Sequence, residues 1–113
     1  MRIVLIAAGL ALLAGPALAK DLLFWNQTAH EYASVRLAPA GTQQWGAEQA
    51  ANDPDGTVSA DERLRITDTV PGRYDVRLAE KTGRVCLVRG VEVKGSGKVA
   101  FTIGEAQLTE CKP

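Results

Sequence analysis

The stretch Arg73-Tyr74-Asp75-Val76-Arg77-Leu78 alternates strictly between charged and apolar side chains. A period of two sends Tyr74, Val76 and Leu78 to one face and Arg73, Asp75 and Arg77 to the other, the pattern of a half-buried strand rather than a helix. Three more runs share it. Leu64 and Ile66 alternate with Arg63, Arg65 and Thr67; Val35 and Leu37 alternate with Ser34 and Arg36; Val99, Phe101 and Ile103 alternate with Lys98, Ala100 and Thr102. The segment 21–26 is continuously apolar from Leu22 to Trp25, which predicts a strand covered on both faces. The run 84–93 reads as a longer strand, with Gly90 marking a bulge or bend. Turn residues fall between the runs: Pro39 and Gly41, Pro54 to Gly56, Pro71-Gly72, Lys81-Thr82-Gly83 and Gly95-Ser96-Gly97. Only the segment from Thr42 to Ala51 has helical composition, enough for a single turn. Six or seven short strands so punctuated predict an all-β fold, a small antiparallel β-sandwich.

The 113 residues have room for one domain. Residues 1–19 have the parts of a cleaved export signal. Arg2 is a basic start, Ile3 to Leu13 is an uncharged apolar run, Gly15-Pro16 breaks it, and Ala17-Leu18-Ala19 offers small residues for cleavage before Lys20. That run is too short for a membrane span, which needs about 20 residues. The expected mature protein is residues 20–113, a single domain in the periplasm or the medium with no membrane anchor. Cys86 and Cys111, an even pair in an oxidising compartment, then read as one disulfide closing a loop of about 25 residues. Their spacing fits neither a redox C-x-x-C pair nor a zinc site. The chain carries 13 basic and 13 acidic residues. That balance gives no electrostatic reason to expect nucleic acid or an anionic membrane as partner.

The order of features resembles that of small exported bacterial β-sandwich proteins of uncharacterised function. The resemblance is carried by Asn26-Gln27-Thr28 after an apolar strand, by Val35-Arg36-Leu37-Ala38-Pro39, by Trp45-Gly46, by Pro71-Gly72-Arg73-Tyr74-Asp75-Val76-Arg77-Leu78, and by Gly83 ahead of Cys86. It implies a periplasmic β-sandwich and no particular activity. The connection from Trp45-Gly46 to Leu64 is longer and more acidic here than in those proteins.

That connection holds the sharpest chemical signal, Asp53-Pro54-Asp55-Gly56-Thr57-Val58-Ser59-Ala60-Asp61-Glu62. It resembles an EF-hand calcium loop with Gly56 at the sixth position. Asp53, Asp55, Thr57, Ser59 and Glu62 then take the third, fifth, seventh, ninth and twelfth, which would supply hard oxygen ligands for Ca2+. Ala51 stands where the first aspartate belongs, and a strand rather than a helix follows. An acidic surface loop with a Pro-Asp-Gly turn is the simpler reading. Trp45 reads as a plug at one end of the sandwich, with a partner anchor as the alternative. The single histidine, His30, beside Glu31 and Tyr32, reads as a surface residue. Asn26-Gln27-Thr28 matches a glycosylation sequon but is expected to end the first strand. Gly95-Ser96-Gly97-Lys98 is a hairpin turn and lacks the rest of a phosphate loop.

No catalytic set emerges, so the expectation is a non-enzymatic module. Its partner is expected to be another periplasmic or cell-envelope protein, met through an edge strand or through faces bearing Arg63, Arg65, Arg73 and Arg77. The alternative is a calcium-binding module using the Asp53–Glu62 loop. A hydrolase or thiol-redox role is the remotest reading.

Overall fold

The structure is a computed structural model and describes residues 22–96 and 99–113. The export signal and the Gly97-Lys98 part of the last turn lie outside the described residues. Seven strands follow in order: β1 Leu22–Gln27, β2 Ser34–Pro39, β3 Arg63–Ile66, β4 Gly72–Ala79, β5 Val85–Val93, β6 Phe101–Gly104 and β7 Glu110–Lys112. They form two sheets, ordered β3-β1-β6 and β2-β4-β5-β7. The expected all-β sandwich is what the chain adopts.

The alternation works as the period demands. Val35 and Leu37 on β2, Leu64 and Ile66 on β3, Val76 and Leu78 on β4 and Phe101 and Ile103 on β6 are buried in one core. Phe24 stacks on Phe101 with ring centroids 4.8 Å apart, which joins β1 to β6 through the core. All pairings are antiparallel except β1 with β6, which run parallel.

One local expectation changes and one holds. β1 alternates after all: Phe24 and Asn26 are buried, while Leu23 and Trp25 are half-buried on the outer face. The segment from Thr42 contributes only a 3-10 turn at Ala50–Asn52. The chain before that turn lies along the free edge of β2, with Gly46 N–H donating to the Leu37 carbonyl and Gln49 N–H to that of Val35. The buried Gln49 side chain also bonds both backbone groups of Thr67, just past β3, at 2.9 and 3.0 Å. One residue thus ties the margins of both sheets.

Gly90 produces the bulge that the sequence suggested. The β4–β5 register slips between Tyr74 and Val76, and Gly90 has φ of 66°, a left-handed conformation suited to glycine. Asp75, expected on the charged face, is almost fully buried over this bulge. It accepts hydrogen bonds from Gly90 N–H and Gly41 N–H, both at 3.0 Å. Burial by itself raises the Asp75 carboxyl, but those two amides and Arg89 outweigh it and hold it below the ordinary aspartate value.

β7 is three residues long and is fixed from two sides. Cys86 and Cys111 face each other in the β5–β7 register and form the expected disulfide. Beside it, Arg89 grips the Glu110 carboxylate through Nε and Nη2 at 2.9 to 3.1 Å.

Candidate interaction surface

The period of β1 puts Trp25 on the outer face of the three-stranded sheet, between Arg63 on β3 and Thr102 on β6. Two contacts orient the indole. Its Nε1–H donates to Asp61 Oδ1 at 3.0 Å, and the Arg63 guanidinium carbon lies 4.0 Å from the ring centroid. Asp61 has φ of 66°, one of two non-glycine residues with positive φ among those described. Leu23, opposite Arg65, extends the same face. An aromatic ring held in place, half-exposed and flanked by arginine is the composition found at the energetic centre of protein interfaces.

Trp45, the tryptophan singled out from sequence, is half-exposed in the loop along β2 and is not part of the core cluster. It does not plug the sandwich. Arg63, Arg65 and Arg73 are exposed as expected, and Arg77 is half-buried. Of these four, only Arg73 stands opposite an acidic residue, Glu92. Arg77 stands opposite Arg36.

The acidic loop keeps two of its five candidate ligands together. The Asp53 and Glu62 carboxyl groups lie close enough to shift each other's ionisation in opposite directions. Glu62 and the Asp55 amide hold Asp53 below its ordinary value. The Ser59 amide pulls Glu62 down, but Asp53, partial burial and the charge of Asp55 together raise it. Thr57 is buried, with its hydroxyl donating to Glu31 Oε2 at 2.8 Å. Val58 exchanges backbone hydrogen bonds with Tyr32 at 2.9 and 3.0 Å. The Ser59 amide donates to Glu62 Oε1, and the Asp55 amide to Asp53 Oδ1. Among the described residues no three His, Cys, Asp or Glu side chains gather closely enough to hold a metal ion.

Asn26-Gln27-Thr28 proves to be scaffolding. Asn26 is fully buried, and its Nδ2 donates to the carbonyls of His30 and Ser59 at 2.8 and 3.0 Å. The Thr28 hydroxyl reaches the buried Tyr32 hydroxyl at 3.1 Å. Burial among these partners pushes the Tyr32 hydroxyl up despite the Thr28 bond. His30 is more engaged than a surface residue. Its Nδ1 lies 3.3 Å from Glu80 and its Nε2 3.4 Å from Glu105, with the ring side chain 31% exposed. It thereby bridges the end of β4, in one sheet, and the turn that follows β6, in the other. No signal in the sequence marks either the Trp25 platform or this bridge, because both depend on which distant residues come alongside.

No family model, curated protein or solved structure matches the chain.

Proposed function

We propose that this chain is a non-enzymatic binding module whose contact surface is the outer face of the three-stranded sheet around Trp25. The observation that carries this reading is the half-exposed indole, oriented by Asp61 and Arg63 on a rigid strand instead of a loop. A pre-oriented aromatic loses little conformational entropy when a partner covers it. Arg63 beside it suits a protein partner whose rim is acidic. Among the described residues the cysteines are joined to each other, and His30 lies between the carboxylates of Glu80 and Glu105. We place the module outside the cytoplasm, in the periplasm or the medium, with an envelope protein as partner. A disulfide in a small β domain is compatible with export, and among the described residues no helix is long and apolar enough to cross a membrane. Pull-down from periplasmic extract with the wild type and with Trp25→Ala tests the proposal. A specific partner lost with the variant supports it, and recovery of nothing above background overturns it.

A second reading, a weak calcium site, is favoured by one observation: Asp53 and Glu62 are close enough to repel when both are ionised, and a cation would relieve that. Calorimetry with calcium chloride on the wild type and on Glu62→Gln tests it. Absence of heat at ~1 mM calcium, a concentration that reveals even weak sites, removes this reading.

A further inference from the structure

Strands β5 and β6 begin as a hairpin and then part. Lys94 N–H donates to the Ala100 carbonyl at 3.0 Å, closing the hairpin with one bond. By alternation, the next residues whose backbone groups point into the same gap are Glu92 on β5 and Thr102 on β6. They do not bond each other, because β6 leaves to pair with β1 while β5 stays with β4. One step further out the edge changes on both sides: β5 bulges at Gly90, whose N–H turns to Asp75 of β4 at 3.0 Å, and Gly104 N–H goes to Gln107 at 2.9 Å. Between these stops lies a cleft of about 380 Å3 lined by buried Val91, Ala100 and Phe101 and by exposed Glu92 and Thr102. The opposite margins of the molecule, along β2 and β3, are covered by Gly46, Gln49 and Asn52.

We propose that this cleft takes an extended segment of a partner polypeptide as an added strand. Two in-register residues whose N–H and C=O groups face each other across a gap, with no partner there among the described residues, call for a backbone between them, since only an extended chain offers donors and acceptors on both sides at that spacing. The apolar floor calls for a small apolar side chain at alternate positions. The rim carries one charge of each sign, Glu92 and Lys94, and so calls for neutral polar residues between them. The inference deepens the binding-module reading by giving the partner a conformation, and it does not depend on the Trp25 face.

The probe is acetyl-Thr-Val-Thr-Val-Thr-amide, titrated to ~1 mM, the millimolar range of weak binding, into the 15N-labelled folded chain. In the free protein the Glu92 and Thr102 amides should exchange rapidly with solvent. With the peptide they should shift and become protected. Glu92→Pro deletes the edge donor at an exposed position where proline is tolerated, and should weaken binding at least about threefold. Glu92→Ala keeps the N–H and should bind like the wild type. Glu92 and Thr102 amides already protected in the free protein, no shift at ~1 mM peptide, or equal binding by Glu92→Pro would each overturn the proposal. Peptide binding by the wild type alongside a failed pull-down would sink the Trp25 face alone, and partner capture lost with Trp25→Ala alongside no peptide binding would sink the added strand alone.

Discussion

The side-chain oxygen of Asn26 accepts two hydrogen bonds from Thr28, one from its amide at 3.0 Å and one from its hydroxyl at 2.7 Å. With the Asn26 amide group holding the carbonyls of His30 and Ser59, one buried carboxamide fixes two loops at one end of the sandwich. Asn26→Ala should therefore cost about 3 kcal/mol, since it strands several buried groups at about 1 kcal/mol or more each. Asn26→Asp should also destabilise, because a carboxylate cannot donate to either carbonyl. Urea unfolding should show a lower midpoint at unchanged slope.

The Cys86–Cys111 link spans 25 residues of sequence. Closing a loop of that size is worth about 3 kcal/mol on the chain-entropy account, so reduction should lower the melting temperature by roughly 15 °C. Hydrogen exchange should show β7 releasing first, as its remaining side-chain anchor described here is the exposed Arg89–Glu110 pair.

Asp61→Ala should free the Trp25 indole with little loss of stability, about 1 kcal/mol or less, because the contact is exposed. In a Trp45→Phe background, tryptophan fluorescence should broaden and shift to the red. Partner capture should fall with it if orientation of the ring matters for binding.

Asp75 and Glu110 both have carboxyls held below their ordinary values. For such groups the stabilisation is fully present above the unfolded value, near 3.8 for Asp75, and is lost as pH falls through the lower native value. The acid limb of the stability curve should therefore lie below about pH 4. Asp75→Asn should lose about 2 kcal/mol at neutral pH and show a shallower acid limb by thermal melts.

Glu62 behaves in the opposite sense. Its carboxyl is raised, so ionising it costs native stability as pH rises through and above the ordinary glutamate range. Glu62→Gln keeps the acceptor for Ser59 N–H and removes the repulsion with Asp53. It should be neutral or stabilising by about 0.5 kcal/mol at pH 7, and the gain should vanish at low pH.

Much of the architecture is legible from the chain itself. β3 and β6 bury strictly alternate residues, and β2 and β4 do so apart from Ala38 and Asp75. β1 was masked because its outward positions, Leu23 and Trp25, are as apolar as its inward ones. β7 has too few residues to show a period and is defined by a cysteine whose mate is on β5. Parallel pairing of β1 with β6 leaves no local trace, since it joins residues about as far apart as the chain allows. The surface is less legible still. Trp45 drew attention through its Trp-Gly neighbourhood, whereas Trp25 sat inside an apolar run and gained its setting from Asp61 and Arg63, 36 or more positions away. The acidic loop matches a calcium spacing in one dimension, while the covered Val58 beside Tyr32 and the Thr57 hydroxyl on Glu31 are contacts that spacing does not foretell.

Gln49 closes off one flank of the molecule by fastening the rims of both layers at once. With that flank shut, a strand added at the β5–β6 cleft cannot be matched by another on the far margin. The molecule would terminate a row of paired chains instead of lengthening it, which favours complexes of fixed size over fibres.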